Sequence, residues 1–295
     1  MEDMLWLLRE RQSLPLDVKV RITKDRISEW HRKHDGKVYV SFSGGKDSTV
    51  LLHLAREVDP EIRAVFVDTG LEYPEIREFV KTFEGVDWRK PAMSFRQVIE
   101  RYGYPVISKE QACAISRYRN TKDPQQKYYR LHGWPGGDKG KISYKWQFMI
   151  DAPFLISDKC CDVMKKSPLD RYAKETGRAA MTGMMAEESR GRITQYCRNG
   201  GCFFQNKRNS IAWPIAFWKE EDVWEYIRRE GLPYSEIYDT GVTRTGCVFC
   251  MFGVHFDEGE NRFQRLRQTH PKMWKYCIHS LGLGEVLTFL GIEFE

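Results

Sequence analysis

The stretch from Val38 to Leu54 does most to limit what this chain can fold into. Val38-Tyr39-Val40-Ser41-Phe42 is β-branched and aromatic, Ser43-Gly44-Gly45-Lys46-Asp47-Ser48 follows, and an apolar run reaches Leu54. That order predicts a strand, a tight turn and a helix. Gly44 and Gly45 allow the backbone to approach a ligand closely. The helix start aims unpaired N–H groups and the positive end of a dipole at the same place, which suits a phosphate. Ser43 and Ser48 add hydroxyls, and Lys46 adds charge. The loop is not a Walker A loop: Val40 stands where its first glycine belongs, and Asp47 follows the lysine.

Strand and helix signals then alternate. Ile62 to Gly70 reads as an apolar strand ending in a polar turn, so Asp68 and Thr69 fall where parallel sheets bind ligands. Tyr73 to Phe83 suits a helix with Pro74 in its first turn, Val86 to Trp88 a short strand, and Phe95 to Tyr102 another helix. Ser167 to Glu175 reads as a helix capped by Ser167, Ala179 to Gly183 as a strand, and Lys219 to Glu230 as a helix with an acidic first turn. The expected fold is a doubly wound parallel α/β sheet with helical ends. The expected divisions are a helical segment over 1–36, a nucleotide-binding domain over 37–251 and a helical segment over 252–295.

Residues 117–146 interrupt the alternation. They hold eight Lys/Arg (Arg117, Arg119, Lys122, Lys127, Arg130, Lys139, Lys141 and Lys145) against Asp123 and Asp138, which is the chain's whole net surplus of +6. Six aromatic residues are interleaved with these charges. Rings among cations suit single-stranded nucleic acid; a solvated insertion whose rings pack on the domain is the alternative. The start of the sequence lacks a signal-peptide pattern, and no apolar run approaches the roughly 20 residues needed to span a bilayer. The expectation is a cytoplasmic protein with no membrane partner, whose eight cysteines are thiols or metal ligands.

Four of those cysteines form a pattern. Cys160 and Cys161 are adjacent, and Cys247-Val248-Phe249-Cys250 follows after 85 residues. Adjacent cysteines splay apart, which is awkward around one tetrahedral zinc and easier on the separate corners of an iron–sulfur cubane. A Cys₄ set suits both, and the alternative is a set of buried thiols with no metal. Cys197 and Cys202 flank Arg198 to Gly201; basic neighbours (Arg198, Lys207, Arg208) would lower a thiol pKa, so a redox pair or persulfide carrier stands against ordinary loop thiols. Cys113 and Cys277 read as buried apolar residues.

The loop Ser43 to Ser48 resembles the pyrophosphate loop (SGGxDS) of the adenine nucleotide α-hydrolases, which include ATP pyrophosphatases and the phosphoadenosine phosphosulfate (PAPS) reductase family. The adjacent cysteine pair, the long gap and C-x-x-C look like the 4Fe–4S pattern of the iron–sulfur adenosine phosphosulfate (APS) reductases. Val67 to Glu75 resembles that family's "LDTGxxFPET" turn. Gly183 to Arg192 resembles its "GxRRxxSxxR" block, and Trp213 to Trp224 and Leu232 to Cys250 resemble later blocks. The resemblance implies an ATP or related adenine nucleotide site at Ser43, Gly44, Gly45, Lys46, Asp47, Ser48, Asp68, Thr69, Gly183, Glu188 and Ser189. It implies catalytic roles for Lys46, Asp47 and Arg192, with Asp47 helping to place Mg²⁺. It implies a 4Fe–4S cluster on Cys160, Cys161, Cys247 and Cys250.

Two departures shape the functional expectation. Met184-Met185 replaces the first arginine of the "GxRR" block, and the sequence ends Leu290 to Glu295 with no cysteine after Cys277, where the reductases carry Glu-Cys-Gly-Leu-His. Related members with a cluster and without that tail resemble the enzymes of DNA phosphorothioation, which use ATP to activate an acceptor for sulfur. The first expectation is therefore ATP-dependent activation and sulfur transfer, to an acceptor that residues 117–146 make a nucleic acid, with a sulfur donor or reductant protein as partner. Sulfonucleotide (APS or PAPS) reduction and a non-catalytic nucleotide- or nucleic-acid-binding module are the alternatives.

Overall fold

In the computed structural model, which describes residues 1–205 and 210–295, the helices α1 (Glu2–Ser13) and α2 (Leu16–Lys33) precede β1 (Val38–Ser41). Then come α3 (Lys46–Val58), β2 (Arg63–Val67), α4 (Pro74–Lys81), β3 (Val86–Arg89), α5 (Phe95–Tyr102), β4 (Val106–Ile107), α6 (Lys109–Asn120), α7 (Pro124–His132), α8 (Ser167–Thr176) and β5 (Ala179–Thr182). The remainder is α9 (Arg190–Arg198), β6 (Phe203–Gln205), β7 (Ser210–Ala212), α10 (Glu220–Glu230), β8 (Met251–Phe252), α11 (Arg262–Thr269), α12 (Pro271–Lys275) and α13 (Leu283–Phe289). Two compact units divide these elements. One comprises 1–68, 73–90 and 167–245; the other comprises 69–72, 91–166 and 246–295.

The first unit is built on a six-stranded sheet in the order β3-β2-β1-β5-β7-β6. All its pairings are parallel except β6 with β7. The doubly wound α/β expectation holds, with an antiparallel β6–β7 pair at one edge that the sequence pattern did not signal: each of the two strands is only three residues long. Val38, Val40, Ala64 and Phe66 are buried, as the near-continuous apolar runs of a two-sided parallel sheet require. The chain leaves β1 towards β2 on one side, while β5 pairs on the other. Such a reversal opens a crevice at the carboxyl ends of the strands. Trp30 and Ile27 of α2 are fully buried, and Lys19 of α2 donates to Asp222 of α10 at 2.6 Å and 2.8 Å, so the first helical segment is part of this unit.

Ser167 does not cap a helix. A π-helical turn, Asp162–Lys166, runs straight into α8. Pro168 explains this: it lacks an N–H and its ring crowds the carbonyl four residues back, so the ladder widens.

In the second unit, residues 117–146 are more ordered than their composition suggested. Ser108 caps α6 by accepting from Gln111 N at 3.2 Å. Asp123 caps α7, with Pro124 at its first position. Two of the eight basic groups are structural. Arg119 donates to the carbonyls of Ile150 (2.8 Å), Met149 (2.7 Å), Ala152 (2.8 Å) and Phe154 (2.6 Å). Arg130 is buried, donates to Gly140 O at 2.7 Å and lies over the Trp134 ring. Replacing Arg119 with alanine is expected to lower stability by about 3 kcal/mol, because several carbonyls lose a charged donor at once. Lys122→Ala, on the exposed surface, should change it by less than about 0.5 kcal/mol. Urea midpoints at constant slope would check both.

Candidate functional site

The residues expected to hold a nucleotide converge in the first unit because they follow three adjacent parallel strands. Ser43 follows β1, Asp68 follows β2 and Gly183 follows β5. Gly44 adopts φ +71°, the left-handed region, and a Cβ there would stand 2.7 Å from Val80 Cγ2 and 2.9 Å from Ile76 Cγ2. Both facts require glycine. At Gly183 a Cβ would lie 3.0 Å from the backbone of Asp47 and Ser48, so β5 can approach the start of α3 only without a side chain.

The loop is laced by its own serines. Ser48 Oγ donates to Gly45 O at 2.9 Å, Ser43 N donates to Ser48 Oγ at 3.2 Å, and Gly45 N donates to Ser43 Oγ at 3.3 Å. Lys46 is buried at the mouth of α3. Its Nζ donates to Thr243 O at 3.3 Å and pairs with Glu220 at 3.2 Å and Asp47 at 3.7 Å. Asp47 Oδ1 is buried with no hydrogen-bond partner among the described residues. Burial raises the Asp47 pKa against the opposing pull of Lys46.

Beside the loop, Arg192 and Arg244 both pair with Glu188, Arg244 at 3.0 Å. Glu188 also accepts from Met185 N at 3.2 Å. Burial and the nearby Arg244 lower the Arg192 pKa. Ser189 accepts from Arg192 N at 3.3 Å and caps α9. Met185, at the position of the missing arginine, is buried. Asp68 is buried and accepts from Arg77 at 2.8 Å. Sequence reasoning missed four groups here: Glu220, read as a helix-start acid, Thr245, read only as part of the cysteine block, and Tyr238 and Arg244, which carry no motif signal of their own.

The second unit gathers the four cysteines. Residues 104–107 are extended and bonded on two sides. Tyr104 N donates to Leu155 O at 2.8 Å and Ser157 N to Tyr104 O at 3.2 Å, which positions the chain entering Cys160-Cys161. On the other side β4 pairs with β8, which begins immediately after Cys250. Gly103, at φ +104°, makes this possible, since a Cβ would stand 2.3 Å from the Leu155 carbonyl carbon. Arg262 donates to Cys250 O at 3.2 Å and Phe252 O at 3.0 Å.

Cys160, Cys161, Cys247 and Cys250 line one small cavity, walled by Leu71, Phe95, Pro105, Phe249 and Phe252. Among the described residues, no three His, Cys, Asp or Glu groups are drawn close enough to hold a metal ion as they stand. Burial pushes the Cys247 thiol up to about 11 and the Cys160 and Cys250 thiols upward, Cys160 also through the other three sulfurs. Proximity to the Cys247 sulfur raises the Lys165 pKa. Thr69 lies in this unit, where its N and Oγ1 donate to Glu72 at 3.0 Å and 2.6 Å.

The remaining cysteines differ from expectation in part. Cys277 is buried, but Cys113 is only half-buried. Cys197 and Cys202 are both buried, and burial raises the Cys202 pKa despite Arg11 and Arg26 nearby. Lys207 and Arg208, expected to activate these thiols, lie outside the described residues.

An open, mostly parallel sheet with a glycine loop at its carboxyl edge defines an α/β protein of the doubly wound class. Residues 37–252 match the model of the phosphoadenosine phosphosulfate reductase domain, and the chain belongs to that family. It is 27% identical over 301 residues to an uncharacterized protein of Methanocaldococcus jannaschii, covering 95% of this chain and 60% of that protein. A second protein of the same organism is 27% identical over 253 residues, 84% of this chain and 42% of its own length. The chain thus spans only part of these two relatives. The adenosine 5'-phosphosulfate reductase of Geobacillus sp. (strain WCH70) is 27% identical over 250 residues, 83% of this chain and 86% of that enzyme. The solved phosphoadenylyl-sulfate (PAPS) reductase of Candida auris aligns with TM-score 0.45 and 15% identity, over 80% of this chain and 96% of that one. Among the described residues no helix is long and apolar enough to cross a membrane.

Proposed function

We propose that this chain binds ATP at Ser43–Ser48 and uses it to activate an acceptor for sulfur transfer. An acceptor oxygen attacks the α-phosphorus, pyrophosphate leaves, and a sulfur nucleophile then displaces AMP from the adenylated acceptor. The observation that carries this reading is the serine-laced glycine loop at the start of α3, with Lys46 buried at its mouth. Lys46 neutralises phosphate charge, and Asp47, whose Oδ1 carries no hydrogen bond, would hold Mg²⁺. A phosphosulfate needs guanidinium groups of its own; here Met185 takes one such place, and Glu188 engages Arg192 and Arg244. Four thiols in an apolar cavity fit an iron–sulfur group as donors and surroundings, so Cys160, Cys161, Cys247 and Cys250 would hold a 4Fe–4S cluster. When bound, that cluster supplies sulfur or electron chemistry.

The acceptor we favour is a nucleic acid, and a separate protein would supply sulfur or reductant. Tyr144 is 88% exposed, and Lys145 lies over both Trp146 and Phe256. Rings paired with a lysine suit a stacked strand. Binding should weaken as salt rises, and Lys122→Ala, Lys139→Ala and Lys145→Ala together should flatten that slope by about two to three units with ATP affinity unchanged. Absence of nucleic-acid binding at low salt would leave a small-molecule acceptor.

The likeness to APS reductases favours a second reading, sulfonucleotide reduction. Pyrophosphate release from ATP supports the first; sulfite release from APS or PAPS with a thiol reductant supports the second. Neither product with any candidate acceptor would leave a non-catalytic binding module.

A further inference from the structure

The mouth of α3 is covered by a strap of the same unit, residues 237–245. Tyr238 Oη accepts from Lys46 N at 2.9 Å, and Thr245 Oγ1 lies 3.0 Å from Tyr238 Oη. Thr243 O accepts from Lys46 Nζ, and Arg244 pairs with Glu188. The strap packs so closely that a Cβ on Gly45 would stand 2.7 Å from Thr245 Oγ1 and 3.3 Å from Tyr238 Oη. Gly45 itself has an ordinary φ of −81°, so the close approach is what needs glycine there. The backbone N–H and the ammonium that a phosphate would use are thus both engaged by the strap.

We propose that this strap is a gate that the nucleotide opens by competition. The inference rests on the ATP reading above. A phosphate oxygen takes the Lys46 amide in a charge-assisted bond, stronger than the neutral bond to Tyr238 Oη that it replaces, and displaces Thr243 O from the ammonium. Fully buried Ile237 anchors one end of the strap. Gly241, left-handed at φ +84° with open space around it, gives the middle its freedom. The Tyr238 ring sits edge-on to Trp224 at 5.3 Å, an aromatic contact that the ring can leave without exposing a charge.

The test is calorimetric titration of the whole chain with ATP, beside amide exchange. Tyr238→Phe keeps the ring and removes the competing hydroxyl, so ATP should bind about 5-fold tighter. Thr245→Val removes the bond that holds that hydroxyl and should shift affinity the same way. In the wild type, amides in 238–245 should exchange faster once ATP is bound. Equal or weaker ATP binding by both variants, with unchanged melting, would overturn the gate while leaving the nucleotide site standing. Slower exchange on ATP would also overturn it, making the strap a clamp. No ATP binding by any of the three proteins would remove the nucleotide reading and the gate with it.

Discussion

Replacing Cys250 with serine is expected to abolish the iron–sulfur chromophore. Anaerobically prepared wild-type protein should be brown, with about four iron and four sulfide per chain. Cys250→Ser should lose nearly all of both, because a serine hydroxyl is a poor iron ligand and the surrounding wall offers no substitute. That wall is Leu71, Phe95, Pro105, Phe249 and Phe252. Cys113→Ser, outside this cavity, should keep its iron and serves as the control. Loading should depend on pH with a definite sign. Burial holds the metal-free Cys247 thiol up at about 11, so near neutrality the thiols must surrender protons as iron binds. Reconstitution should therefore improve as pH rises from 7 to 8.5. Stoichiometric zinc without iron or sulfide would overturn the cluster and leave a zinc-stabilised fold.

The two candidate sites differ in how much of them the sequence revealed, and the reason is range. The phosphate loop is local: strand, glycines and helix lie within residues 38–54, and period, turn chemistry and dipole all act over that distance. Asp68 was legible for a related reason, since parallel strands bring their carboxyl ends to one edge, whereas Gly183 was implied only by the family resemblance. The cysteine cavity is not local. It depends on residues 104–107 bonding to two distant segments, and a two-residue β4 has no periodicity to detect. Adjacency and C-x-x-C spacing marked Cys160, Cys161, Cys247 and Cys250 as a candidate set, and the resemblance alone specified the 4Fe–4S pattern for them. Charge counting over residues 117–146 erred in another way. It treated Arg119 and Arg130 as surface charge, whereas backbone carbonyls claim both. Composition cannot distinguish an arginine that ties a loop from one that meets a partner.

The same limit hid the acidic side of the proposed nucleotide site, and it sets the last prediction. Lys46 stands between Asp47 and Glu220, so Lys46→Ala removes the phosphate's ammonium and leaves two carboxylates facing it. ATP affinity should fall about 10- to 150-fold, the range of one charged hydrogen bond. Glu220→Gln should act oppositely, because it frees Lys46 from a competing partner while keeping the side chain's size. The pH dependence follows from Asp47. Its folded-state pKa is raised by burial, so its proton is held more tightly than in an unfolded chain. The charged form therefore burdens the folded state, and the burden eases as pH falls through the raised pKa. Lys46→Ala removes the main group opposing that rise, so its Asp47 should protonate at still higher pH. With Mg²⁺ left out, so that Asp47 meets the phosphates directly, ATP binding by Lys46→Ala should then recover in part as pH is lowered, with less response in the wild type and in Lys46→Ala combined with Asp47→Asn. A pH-independent loss in Lys46→Ala would mean that Asp47 does not face the phosphates, and would move the anionic end of the ligand away from the start of α3.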